Sequence, residues 1–213
     1  MQHIRSDAAH EFELVGESIA ADFANTLSGS RARPSTDHVA RYADLVAFAR
    51  QSGALSAADA KRLLAGAERR PQLATEIHRR SVALREAIWR AFDRVAHGRE
   101  PDAADLALIS ADAAEAFAHA TGVREGSGYA WAWAETDDLA RPLWPIARGA
   151  VDLLTSPADR ERIRECASET CAWVFVDRTK NHSRRWCDMG GCGNRAKVRS
   201  FRERQKRTVR KAR

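Results

Sequence analysis

Over most of the N-terminal half, apolar residues recur at helical spacing. The clearest stripe is Ile77, Leu84, Ile88, Ala91 and Val95, which predicts one long amphipathic helix from Pro71 to His97. Pro71 suits a first helical turn, and Gly98 ends the run. Shorter patterns predict helices over 17–26, from a cap at Ser35 or Thr36 to about Gln51, and from Ser56 to about Ala67. Ser56 and Asp59 have the form of a capping box, with Asp in place of Glu. Pro101 and Asp102 open a further helix to about Ala120. Residues 137–155 return to helix, with Pro142 and Pro145 near its start, and Ser156-Pro157 begins a short helix that delivers Cys166.

Two stretches depart from this period. Residues 10–15 read as a short strand. Behind the turn signal Gly126-Ser127-Gly128, Tyr129, Trp131 and Trp133 alternate with alanines, a period of two that predicts a strand pair, with the N-terminal strand as a candidate neighbour. Rings this large in a row read as core, with the wall of a small-molecule pocket as the other reading. Residues 29–34 read as a loop. The pattern as a whole predicts a mainly α body over 1–160 with a small strand pair.

Charge changes the picture at the C-terminal end. Residues 178–213 carry fourteen Lys/Arg against Asp188 and Glu203, a net +12 within a chain of net +6, which leaves −6 for the rest. A basic end on an acidic body points to a polyanion partner for that end alone. No apolar run approaches the ~20 residues that span a bilayer. Residues 1–16 show no apolar core or cleavage site of a signal peptide, so a cytoplasmic location is expected.

All four cysteines of the 213-residue chain lie in this region, as Cys166-x4-Cys171-x15-Cys187-x4-Cys192. Two close pairs at this separation have the spacing of a four-thiolate zinc site. The apolar run 172–176, the polar cluster 177–183 and Arg184-Arg185-Trp186 read as a β-hairpin that brings the pairs together, with Trp173 and Trp186 packed around the metal. Gly190 and Gly191 are placed where a positive φ would be needed. Two disulfides would need an oxidising compartment. An iron–sulfur cluster also takes four thiolates, but at other spacings. Four thiolates on one zinc leave no open position for a catalytic water, so the expected role is structural. The predicted C-terminal unit, 161–213, is a four-cysteine zinc finger of β-hairpin plus basic helix.

These residues resemble a known family. Cys192-Gly193-Asn194-Arg195 is the CGNR tetrapeptide, and the run from Cys171 to Cys187 resembles the zinc finger named after it. In that family the finger follows a helical ABATE domain. Leu14-Val15-Gly16 and Asp22-Phe23-Ala24-Asn25-Thr26 are similar to its opening, and Ala83-Leu84-Arg85-Glu86-Ala87 to its central helix. The resemblance implies one zinc on Cys166, Cys171, Cys187 and Cys192, and a stress-induced transcription regulator.

After Arg195 the helix carries Lys197, Arg199, Arg202, Arg204, Lys206, Arg207, Arg210 and Lys211, with Val198 and Phe201 expected to anchor its first turns to the finger. Charge of one sign at this density favours nucleic acid, DNA before RNA. Arg184 and Arg185 have two readings, phosphate contact or pairing with Asp177 or Asp188. Asn194 is placed to cap the helix or to bond a thiolate. Asp22 and Asn25, three apart on an apolar helix, read as hydrogen-bonding structural groups and as the first place to look for a ligand. The seven histidines form no metal-spaced pair, and no catalytic constellation stands out, so no enzyme is expected. The reading is a DNA-binding regulator whose body senses a small molecule or forms a homodimer; the alternatives are an RNA-binding protein and a protein-interaction adaptor with a purely structural zinc.

Overall fold

The computed structural model describes residues 11–211, with side chains through Gln205. Position 10 of the predicted N-terminal strand lies outside the described residues, as do the side chains of Lys206, Arg207, Arg210 and Lys211. The rest of that strand, 11–15, is irregular chain.

The body is built around α1 (Ile19–Ala24), which is shorter than predicted and apolar apart from Asp22. Ala20, Ala21, Phe23 and Ala24 are fully buried, which is where such a helix must sit. It is followed by β1 (Leu27–Ser30) and β2 (Arg33–Asp37), an antiparallel hairpin where a loop was expected. Gly29 takes φ 87 at a bulge there, and a Cβ would lie 2.7 Å from the Arg33 carbonyl oxygen, so glycine is required. Ser35 and Thr36 therefore belong to β2 and cap nothing. Helix α2 (Tyr42–Gln51) starts later, and Asp44 accepts the backbone N–H groups of Ala40 and Arg41 at 3.1 Å each. Helix α3 (Ala57–Arg69) has the predicted capping box: Ser56 Oγ accepts from the Asp59 N–H at 3.0 Å, and the Asp59 carboxylate accepts from the Ser56 N–H at 3.3 Å.

Helix α4 (Pro71–Ala96) runs through the centre with the predicted stripe inward. Its buried Arg85 holds Asp37 of β2 through two bonds of 2.6 and 2.8 Å. Helix α5 (Ala103–Ala118) leads to β3 (Ala120–Glu125) and β4 (Gly128–Trp133), the predicted strand pair. That ribbon pairs only with itself, and its aromatic row is not core. Tyr129 is 84% exposed and Trp131 47%, while Trp133 is half-buried with its indole N–H on the Ala116 carbonyl. A two-stranded ribbon has no further sheet to cover its face, so the rings lean on α5 and α6 (Leu143–Thr155) instead, with Arg148 over both Trp131 and Phe117.

Helix α7 (Pro157–Arg160) precedes β5 (Ile163–Glu165), which pairs antiparallel with β6 (Val174–Val176). A wide π-type turn, Met189–Gly193, then opens into α8 (Asn194–Lys211). The finger's strand pair is thus present with a different partner. The segment before Cys166 pairs with 174–176, and Arg184-Arg185-Trp186 forms no strand. The main core also crosses the predicted boundary at 160/161. Ile163, Val174 and Val176 pack in the same apolar cluster as Phe23, Leu84 and Ile88. No helix among the described residues is long and apolar enough to cross a membrane.

Candidate metal centre and basic helix

Local chain geometry converges the four cysteines. The β5–β6 ladder extends one step further, with the Cys166 N–H on the Trp173 carbonyl at 2.8 Å. A tight turn then puts the Cys171 N–H on the Ser168 carbonyl at 2.9 Å. In the second knuckle Asp188 accepts from the Gly191 N–H, and the Gly193 N–H returns to the Asp188 carbonyl at 2.9 Å. Gly190 and Gly191 do not adopt positive φ. A Cβ at either would crowd the Asp188 carboxylate, at 3.2 and 3.1 Å.

The four sulfurs lie within 4.8 Å of one another, with Cys171–Cys187 at 3.8 Å and Cys187–Cys192 at 3.6 Å. A tetrahedron with Zn–S near ~2.3 Å places its sulfurs about 3.8 Å apart, so the cage fits that ion as it stands. Electrostatics agree. Hydrogen bonds from Cys171 and Cys187 pull the Cys166 thiol down to about 2. The same contact pushes Cys171 up to about 12, and Cys187 rises as well. The cluster alone stabilises one thiolate; a central divalent cation lets four coexist. Phe175, Trp173 and Trp186 pack around the sulfurs, as predicted for the two tryptophans. A sulfur partner is also present, but it is Arg195, whose Nη2 donates to Cys192 Sγ at 2.9 Å.

The finger is fastened to the body by polar bonds. The Asn25 amide donates to the Val174 carbonyl and accepts from the Val174 N–H, both at 2.9 Å, filling the place of a neighbouring strand. The Trp89 indole N–H donates to the Ala172 carbonyl at 2.6 Å and that of Trp173 to the Leu27 carbonyl at 3.2 Å. The Val176 N–H bonds the Gly16 carbonyl at 2.9 Å. Asp22 accepts from the Gly16 N–H at 2.7 Å, and its burial raises its pKa to about 6. The cavity beside Asp22 and Asn25 is about 50 Å³. That holds water, not an organic ligand, and both side chains are spent inside the protein. The cavity beside this pair has no room for an organic ligand, and hydrogen bonds within the protein engage both side chains.

The predicted nucleic-acid residues divide. Arg184 is removed from the set: its guanidinium donates to the carbonyls of Trp186 at 3.1 Å, Val15 at 2.7 Å and Cys187, and lies 4.4 Å over Phe175. Its main-chain N–H, not its side chain, reaches Asp177. Burial opposes ionisation of Asp177, but bonds from Thr179 and the Arg184 N–H hold its carboxyl below the ordinary value. Arg185 is exposed, stacked over Trp186 at 5.2 Å. On α8, Lys197, Arg199, Arg202 and Arg204 are exposed, and Arg199 pairs with Glu169 of the first knuckle. Val198 and Phe201 do not anchor the helix; they are 42% and 54% exposed. Among the described residues the knuckle holds its start, and Lys197, Arg199 and Arg202 are exposed.

A helical body welded to a four-thiolate zinc knuckle that projects a basic helix defines a zinc-finger protein with an appended helical domain. The two parts match two family models. Residues 162–205 match the CGNR zinc finger. Residues 17–157 match the ABATE family, described as "Putative stress-induced transcription regulator". The chain belongs to the ABATE family, with a CGNR finger carrying one structural zinc on its four cysteines. No curated protein matches the chain.

Proposed function

We propose that this protein binds duplex DNA through its finger and regulates transcription, with α8 as the docking element. The observation that carries this reading is the exposure of α8. Arg195, Arg199 and Arg202 share one face at i, i+4 and i+7 with Val198 between them, and they stand on a zinc-stiffened base. Arg185 lies on the same finger. The exposed Arg199–Glu169 pair is worth at most ~1 kcal/mol, so a phosphate displaces it readily. The acidic body stays clear of the polyanion.

The test is the salt dependence of binding. Arg199→Ala and Arg202→Ala combined should flatten log K against log salt by roughly 2 units on duplex DNA, at about 0.9 per phosphate contact. Discrimination between sequences should change less, because phosphate contacts position rather than specify. Unchanged affinity and slope would remove α8 from the interface. A protein-adaptor reading has one observation in its favour, the exposed Val198 and Phe201 on the same helix. Tighter binding to structured RNA than to duplex DNA would instead support the RNA reading.

A further inference from the structure

One cleft near the joint of body and finger lies away from both α8 and the Asp22/Asn25 pair. It measures about 450 Å³ and opens between the end of α4, the start of α5 and the α6–α7–β5 segment. That volume is in the range of organic-ligand sites, ~300–1,000 Å³. Its floor is apolar: Val95, Leu106 and Leu154, with Leu106 still 37% exposed.

The charged groups around this floor are unusual in being left over. Arg99 also faces the cleft, but it is tied to Asp93 at 2.8 Å. Arg160 donates to the Leu154 carbonyl at 3.1 Å, and Arg164 to the carbonyls of Glu161 and Ile163 at 2.7 and 2.9 Å. Among the described residues neither has a carboxylate within salt-bridge distance, although Arg164 is close enough to Asp177 to help lower its pKa, and the carboxylates of Glu100 and Glu161 on the same rim are likewise without a salt bridge. Two guanidiniums and two carboxylates thus surround one apolar floor without neutralising one another. A simple organic anion would answer the arginines and be repelled by the glutamates. A molecule with a carboxylate, an ammonium and an apolar side chain answers all three features, since Arg suits carboxylate geometry and each glutamate accepts from an ammonium.

We propose that this cleft is a binding site for a small zwitterion with an apolar side chain, the chemistry of an apolar α-amino acid. The wall that would hold the ligand, Arg160 to Arg164, runs straight into Cys166, and β5 pairs with β6, the strand that follows Cys171. Occupancy therefore bears on the strand pair from which the zinc knuckle hangs. This gives the sensing part of the proposed function a site and a ligand class, and rests on that reading only for its consequence on DNA.

The experiment is a calorimetric titration of the full-length zinc protein, without nucleic acid, with L-leucine, L-isoleucine, L-methionine and L-phenylalanine. At least one should bind 1:1 with Kd at or below a few millimolar, the scale for ligands of about ten heavy atoms. N-acetyl-L-leucine, which lacks the ammonium, leucinol, which lacks the carboxylate, and glycine, which lacks the apolar group, should each bind at least tenfold more weakly. Arg160→Gln, Glu161→Gln and Leu106→Asn replace exposed side chains, so the fold should persist by circular dichroism while affinity falls tenfold or more. The proposal is overturned if none of the four amino acids saturates by 10 mM, at about that concentration scale, if the truncated analogues bind equally well, or if the folded variants bind as the parent does. Because DNA is absent, a protein that binds DNA but no amino acid sinks this inference alone, and the converse sinks only the DNA reading.

Discussion

At the scale of single residues, the polar groups of this protein are mostly fasteners. Asn25 occupies both backbone groups of Val174. Asn25→Ala would leave a buried donor and a buried acceptor unpaired, and should cost roughly 2–4 kcal/mol in denaturant unfolding at unchanged zinc content. Asp22 leaves a signature in pH. Its pKa rises from 3.8 to about 6 because burial opposes the charge. The folded state then holds the proton more tightly than the unfolded chain, so stability falls as pH rises from about 4 to about 6 and is level above that. Asp22→Asn keeps an acceptor for the Gly16 N–H and removes the charge. It should abolish this decline and raise stability at pH 7 by roughly 2–3 kcal/mol relative to the parent; an equal decline in parent and variant across that window would show that another group titrates. Arg184 and Arg195 show why sequence position is a weak guide to role. Both are arginines in a basic finger, yet one is bound to three carbonyls and the other to a thiolate.

At the scale of elements, the long amphipathic stripe and the capping box of α3 were legible, because local periodicity and cap chemistry decide them. The cysteine cage was equally legible from spacing. What was not legible was pairing. Of residues 172–176, read as strand, 174–176 form β6, but β5, a three-residue segment ahead of Cys166, carries no alternation signal to name it as the partner. The β1–β2 hairpin escaped because β2 is Arg-Pro-Ser-Thr-Asp, without a large apolar residue and exposed throughout. Tyr129 and Trp131 misled in the opposite sense, since a period of two says that a strand is present and not that anything covers it. Zinc supplies the folding free energy that so short a knuckle lacks. Cys171→Ser should release the metal and unfold the knuckle and the start of α8, while α4 and the other body helices keep their circular dichroism; one zinc per chain retained in the variant would contradict this.

At the scale of the whole molecule, body and finger strands share one apolar core. Ile163, Val174 and Val176 belong to the body's core, and Asn25, Trp89 and Leu27 each reach the finger strand or its flanks. A chain ending at Ser156 should therefore lose sharp thermal unfolding, because it leaves that core open and those polar groups unpaired. A full, cooperative transition in the truncated chain would show that the ABATE part closes its core without the finger. With the finger welded in place, α8 projects from it with an exposed basic face. The central claim is that this helix, and not the acidic body, meets duplex DNA. Hydrogen–deuterium exchange of the zinc protein with and without a saturating DNA duplex tests it most directly. Protection gained over 194–205, with the amides of α2 to α6 unchanged, is the predicted result; protection confined to the body, or no change in α8 at saturation, would contradict the account.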